Sequence, residues 1–339
     1  MLIRYVKTLV AFPILLLVLS VSSAGEEAGL RFQSGENGKY RFDTGVLRGV
    51  LQPSGKAQGL ASVVHVPSGT RLDQGAGIFS YYRVLATNKR YGAMAWDWPS
   101  TSKLLPDGAV EVSRPAAPDR PFELIAVYRW AGPATLDLET TVKACEDLDD
   151  FEVFLASYFH EALPSPYVYV AADPDAEGKP GFMLAVKSRG DWQMSPRDDG
   201  VLGMIRDGRW RKEPYPVNWV VMPQMAAPLC LRRSTDKSLG VVVMSPVTDC
   251  FAIATPYEGE THYSLYPSLF GRDIQAGQTV KARARFVVTT EASDRDILTL
   301  YQDYIDEAAI EARGDAPLRP LIAELRDAAD KEALVRASV

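Results

Sequence analysis

The stretch Phe151-Glu152-Val153-Phe154-Leu155-Ala156-Ser157-Tyr158-Phe159 decides the fold. Apolar side chains occupy neighbouring positions rather than every second one, as in a strand covered on both faces, so this run belongs in the middle of a layered sheet structure. Outward from it, short β-type runs recur: 39–43, 59–66, 78–86, 122–130 and 135–143 before it, then 167–171, 182–187, 217–222, 239–244, 251–255 and 279–289 after it. Between the runs lie turn formers such as Pro67-Ser68-Gly69, Pro106-Asp107-Gly108, Ala131-Gly132-Pro133 and Asp198-Asp199-Gly200. Such residues reverse the chain and break helices. No helical pattern separates consecutive strands, which excludes a parallel doubly wound sheet and leaves a mainly β, antiparallel architecture. In Val280-Lys281-Ala282-Arg283-Ala284-Arg285-Phe286, apolar and basic residues alternate, predicting one buried face and one wet face.

The pattern changes after Ser293. Asp294 can cap a helix in which Ile297, Leu300, Tyr301, Tyr304, Ile305 and Ala308 recur at helical spacing. A second helix is expected over 321–335, beyond Pro317 and Pro320. These C-terminal α-helices either pack on the sheets or reach a protein partner of the cell envelope.

At the other end, Arg4 and Lys7, the apolar run Thr8 to Val21 and the small residues Ser22-Ser23-Ala24 form the three parts of a secretory signal. The apolar run is shorter than the roughly 20 residues of a membrane span and contains Pro13. Cleavage after Ala24 therefore places the mature chain in a secreted or periplasmic setting with no membrane anchor. The expected organisation is a signal peptide (1–24), an N-terminal extension (25–38), a β domain (39–290) and a helical segment (291–339).

With 47% hydrophobic and 24% charged residues, the chain has the composition of an ordinary folded protein. The net charge of −6, with no block of Lys and Arg, argues against nucleic acid as a partner. Three cysteines, Cys145, Cys230 and Cys250, match no zinc spacing. Cys230 and Cys250 either pair or stay as buried thiols. Asp173-Pro174-Asp175-Ala176-Glu177-Gly178 imitates half of a calcium loop, but Leu184 stands where the bidentate acid belongs, so a solvated hairpin loop is expected and no metal or cofactor is assigned.

Three further stretches carry a family resemblance. The segment Gly59 to Thr70, reversing through Ser68-Gly69, looks like an opening hairpin; Leu136 to Val142 followed by Phe151 to Phe159 looks like a pair of central strands ending in Tyr-Phe; and Gly271-Arg272-Asp273-Ile274-Gln275-Ala276-Gly277-Gln278 looks like a closing turn. Together they resemble the galactose mutarotase-like β-supersandwich, the fold of aldose epimerases and of domains in polysaccharide lyases and glycoside hydrolases. The resemblance implies an antiparallel supersandwich and a carbohydrate or polysaccharide ligand. It also implies a catalytic histidine two residues before Tyr158-Phe159, where this chain has Ala156, and a late glutamate, where Tyr263 to Pro267 stands. An ordinary aldose epimerase is disfavoured accordingly.

The residues suited to chemistry are few. His160 follows Tyr158-Phe159 and precedes Glu161, and His262 lies in a polar stretch entering a strand; these two are the candidate acid–base residues, and His65 reads as structural. Tyr81, Tyr82 and Arg83, then Arg90 and Tyr91, then Trp96 and Trp98 interleave rings with cations. Flat rings stack on sugar faces and charged groups bond the hydroxyls, which makes Tyr82, Arg83, Arg90, Trp96 and Trp98 a candidate binding platform, with Arg129 at its rim. Core packing is the competing use of the same rings. The function expected from these features is an exported carbohydrate-binding or carbohydrate-active protein, and the alternative is a non-catalytic structural or interaction module of the envelope.

Overall fold

The computed structural model describes residues 29–290 and 293–312. The signal segment, the start of the extension and the second C-terminal helix lie outside the described residues. Two large sheets face each other. One has nine strands, ordered Gly181–Leu184, Ser165–Val170, Met225–Arg233, Gly240–Met244, Thr279–Thr289, Thr135–Ala144, Phe122–Gly132, Val110–Arg114 and Thr101–Leu104. The other has seven, ordered Val220–Val221, Trp192–Pro196, Cys250–Pro256, Ser264–Ile274, Leu148–Tyr158, Ser80–Ala86 and Lys89–Arg90. A third sheet of five strands runs from Gln33–Ser34 through Tyr40–Asp43, Leu47–Gln52 and Gly59–His65 to Thr70–Arg71. Apart from the parallel contact of Gln193 and Met194 with Val220 and Val221, the pairing is antiparallel.

Strand Leu148–Tyr158 lies inside the seven-stranded sheet, between Ser264–Ile274 and Ser80–Ala86, with Phe151 to Tyr158 buried throughout. Its two faces serve two cores. Val153 and Leu155 meet Leu124, Leu138, Ala284 and Phe286 of the nine-stranded sheet in one continuous cluster. Phe154, Ala156 and Tyr158 point the other way, into a second cluster with Met194, Trp210 and Tyr266. Each fully buried Leu or Phe in these layers contributes about 1.5–3 kcal/mol.

Within the extension 25–38, Gln33 and Ser34 pair with Arg41 and Tyr40, and Phe32 packs edge-on against Phe42 and tilted against Trp130. Two expectations are corrected. The basic face of Thr279–Thr289 is not wholly wet, since Arg285 is covered by helix Asp294–Ala312, lying 4.4 Å over the Tyr304 ring and bonding Asp137 at 2.6 Å. The helix itself is capped by Ser293 rather than Asp294. The Ser293 hydroxyl accepts the Asp296 N–H at 3.3 Å, while Asp294 reaches Arg233 at 2.6 Å. The helix buries Ile297 and Tyr304 in a cluster with Val242, Met244 and Val287, and Ala308 is buried as well, so this face packs on the sandwich.

Cys230 and Cys250 are separate buried thiols and Cys145 is exposed. In the loop at Asp173, the Asp173 carboxylate accepts the Asp175 N–H, Asp175 pairs with Arg189 at 2.5 Å and Glu177 with Lys179 at 3.1 Å. Those acids are bound by their own neighbourhood, as a hairpin loop requires.

Candidate functional site

The outer face of the seven-stranded sheet is covered by the chain excursion 197–219, which includes the short helix Leu202–Arg206. The cover is incomplete and leaves a two-lobed cleft, with cavity volumes of about 480 Å³ and 320 Å³. Tyr82, Tyr158, Tyr215 and His262 border both lobes; Lys56, Gln74 and Trp96 line the larger, and Arg83, Trp192, Trp210, Trp219 and Tyr266 the smaller.

A bulge explains why two consecutive residues face this cleft. Arg83 pairs with Phe154 and Tyr81 with Leu155, so Tyr82 is the extra residue of its strand. Side chains alternate in a regular strand, and a bulge is the device that re-aims one. Arg83 is thereby fixed between two rings, its guanidinium carbon 4.7 Å from the Tyr82 centroid and 5.3 Å from that of Trp210. Its Nη2 donates to the Tyr82 hydroxyl at 3.1 Å and to the Tyr215 carbonyl at 2.7 Å, whereas Nε and Nη1 have no partner.

The floor is aromatic. The Phe154 ring lies 4.7 Å from Tyr266 and 4.6 Å from Trp210, Tyr82 stacks on Trp96 at 5.0 Å, and Trp210 meets Trp219 edge-on at 5.2 Å. The Trp210 and Trp219 indole N–H groups, like the two Arg83 nitrogens, lack acceptors. Ser264 donates to the Tyr266 hydroxyl at 2.6 Å. Burial pushes the Tyr158 and Tyr266 phenols well above their ordinary range, so both stay neutral.

The wall is anchored by a buried ion pair. Glu152 and Arg209 are fully buried, 3.1 Å apart; Glu152 also accepts from Ser268 at 2.9 Å, and Arg209 donates from Nε to Asp207 at 3.0 Å and from Nη1 to the Asp150 carbonyl at 2.8 Å. Burial outweighs these contacts for Glu152 and holds its carboxyl above the usual range. Arg90 secures the same wall from outside through the Lys212 and Pro214 carbonyls, and burial together with the nearby Arg83 charge lowers its pKa to about 10.

At the mouth, His262 Nδ1 lies 2.7 Å from Glu260, whose carboxylate also accepts the His262 N–H at 2.8 Å. The hydrogen bond to Glu260 raises the imidazole pKa; burial works against the Glu260 charge, but the bonds from His262 prevail and lower its pKa. Gln74 holds the His262 carbonyl at 2.7 Å.

The chain is similar in fold to galactose mutarotase-like structures. A galactose mutarotase-like protein from Lactobacillus casei ATCC 334 aligns at 10% identity and TM-score 0.46, over 74% of this chain and 100% of that one. An aldose epimerase homologue from C. elegans aligns at 10% identity and TM-score 0.41, over 72% and 95%. A heparan sulfate lyase from Pedobacter heparinus aligns at 8% identity and TM-score 0.39, over 77% and 35%. No family model matches the sequence, and no curated protein matches it. What the cleft does has to be read from its own residues.

Of the residues singled out from sequence, Tyr82, Arg83, Trp96 and His262 meet at the cleft. The others do not. Trp98 is in the inter-sheet core, 6.0 Å from Phe122 and covered by the Arg120 guanidinium at 4.9 Å. Arg129 is exposed on the nine-stranded sheet and pairs with Asp107 at 2.7 Å. His160 is half-buried past the end of its strand, its N–H bonded to the Leu72 carbonyl and its Nδ1 accepting from Ala162, and it lines neither lobe. Arg90 supports the wall. Residues of the cleft outside that set are Tyr158, Tyr215, Tyr266, Trp192, Trp210 and Trp219. The signal for the tryptophans is their density around 197–216, a stretch free of β pattern. Ala156 is fully buried in the cluster beneath the cleft and lines neither lobe, and its methyl group has no proton to exchange.

Proposed function

We propose that the protein is an exported carbohydrate-binding protein whose ligand lies in the two-lobed cleft, and that it does not act as an ordinary aldose epimerase. The observation that carries this reading is the cleft itself: stacked and edge-on rings of Tyr82, Trp96, Trp210 and Trp219 surround donors that have no acceptor, namely the indole N–H groups of Trp210 and Trp219 and the Nε and Nη1 groups of Arg83. Sugar rings offer C–H faces for the aromatic surfaces and hydroxyl oxygens for the donors. Against epimerisation stand Ala156 and the absence of Asp or Glu among the described residues lining either lobe. A proton-transfer pair across a bound sugar needs groups within hydrogen-bond reach of it.

A glycan array probed with the exported chain tests the reading, followed by turnover assays on each glycan retained. Specific retention of one glycan class, lost on Trp219→Ala, supports it. Retention of none transfers the case to an envelope interaction module. Export is tested separately by the intact mass of the exported chain, which should begin at Gly25.

A further inference from the structure

Arg83 presents an unusual charge. It is 2% exposed, yet among the described residues no carboxylate lies within ion-pairing distance, and its hydrogen-bond acceptors there are the Tyr82 hydroxyl and the Tyr215 carbonyl. A buried cation without a counter-charge is costly, and proteins normally pair it. The contrast with Arg209 is instructive: equally buried and on the same side of the sheet, it has Glu152 and Asp207. The rest of the cleft does not compensate. Lys56 and His262 line the larger lobe, no Asp or Glu is among the described residues lining either lobe, and Glu260 at the mouth is engaged by His262. Of what covers Arg83, the Tyr215 segment is the part facing water: Tyr215 is 61% exposed and holds a left-handed backbone at φ 61°.

From this we infer that the cleft takes an anionic sugar, a glycan unit bearing a carboxylate or a sulfate, whose negative group is seated on the Arg83 side of Tyr215. The inference rests on the reading of the cleft as a glycan site and names its ligand class. A planar guanidinium already stacked between two rings is pre-ordered for an oxyanion, and the Trp210 and Trp219 N–H groups supply neutral donors beside it. The anion would provide the counter-charge the fold omits. Charge-assisted hydrogen bonds are stronger than neutral ones, so discrimination against the uncharged analogue should be about tenfold or more.

The test is calorimetric titration of the full exported chain with three oligosaccharides of equal length: a uronate, its carboxyl-reduced neutral counterpart and a sulfated neutral chain. The expected result is binding of the uronate or the sulfated chain about ten- to a hundredfold tighter than the neutral one. Arg83→Gln should abolish the preference, Arg83→Lys should restore part of it, and Lys56→Gln, at an exposed position, should weaken it while leaving the fold intact. Which anion is preferred identifies the group. Equal affinity for all three would overturn the anionic assignment and leave the glycan reading standing; binding of none would overturn both. If Arg83→Gln fails to fold, the salt dependence of the wild-type affinity and Lys56→Gln decide, because only a charge-driven preference weakens with ionic strength.

Discussion

Truncating Trp98 to alanine separates a core ring from a cleft ring. The side chain is 7% exposed, within the cluster that joins the two large sheets, tilted against Phe122 at 6.0 Å and capped by Arg120 at 4.9 Å. Tryptophan-to-alanine changes in such surroundings cost about 3–5 kcal/mol, from lost transfer energy plus the cavity left behind. The aromatic contact and the cation above the ring are worth about 1 kcal/mol each and place the expected loss near the upper half of that range. Urea unfolding read from the midpoint at constant slope measures it. Glycan affinity, measured below the unfolding transition, should remain within about twofold of wild type, a difference well under 1 kcal/mol. A Trp98→Ala variant that keeps its stability and loses its ligand would refute the division of the tryptophans made here.

Trp219→Ala should behave in the opposite way, lowering glycan affinity by about tenfold or more with only a modest change in stability, because the ring lies at the partly open cleft wall; calorimetry beside urea unfolding checks it. Glu152→Gln leaves Arg209 with Asp207 and the Asp150 carbonyl but removes its buried counter-charge, so a loss of about 3 kcal/mol is expected, with proteolysis first appearing in 197–219. For Glu260 and His262 the signs follow from the directions of their shifts. His262 is raised from 6.5, so its stabilising proton is fully held below 6.5 and lost as pH climbs through the raised value; Glu260 is lowered from 4.5, so its contribution is present above 4.5 and lost as pH falls through the lowered value. Affinity for an anionic glycan should therefore fall as pH rises through the raised His262 value, and His262→Gln should flatten the profile. Ile297→Ala should loosen the C-terminal helix at a cost of about 2–5 kcal/mol, seen as faster amide exchange over 294–312.

Much of the sandwich was legible because its strands carry their own signals. Phe122–Gly132, Thr135–Ala144 and Thr279–Thr289 fall where alternation and turn residues put them. Strands Met225–Arg233 and Ser264–Ile274 did not, although the second is a direct neighbour of Leu148–Tyr158. Each contains a residue that reads as a breaker, Pro228 in one and Pro267 and Gly271 in the other. Gly271, at φ 61°, sits where a Cβ would lie 2.4 Å from the Phe251 ring, a close approach that only the three-dimensional packing reveals. Arg232 is equally deceptive: it looks like a surface residue yet is fully buried, donating to the Leu163 carbonyl at 2.7 Å. At the site, the dense run from Tyr82 to Trp96 pointed to the cleft, but Trp98, two residues on, turns into the core. The bulge at Tyr82 and the return of Trp210 and Trp219 across the sheet depend on contacts far apart in sequence, for which no local pattern exists.

The central claim, that a glycan occupies the cleft between Tyr82, Tyr158 and Trp219, is tested most directly by the indole N–H resonances of the six tryptophans as a retained glycan is titrated in. Trp96, Trp192, Trp210 and Trp219 line the cleft, whereas Trp98 and Trp130 belong to the inter-sheet core. The first four signals are expected to shift with one common saturation curve while those of Trp98 and Trp130 stay in place. Shifts confined to Trp98 and Trp130, or a saturating glycan that moves no indole signal, would contradict it.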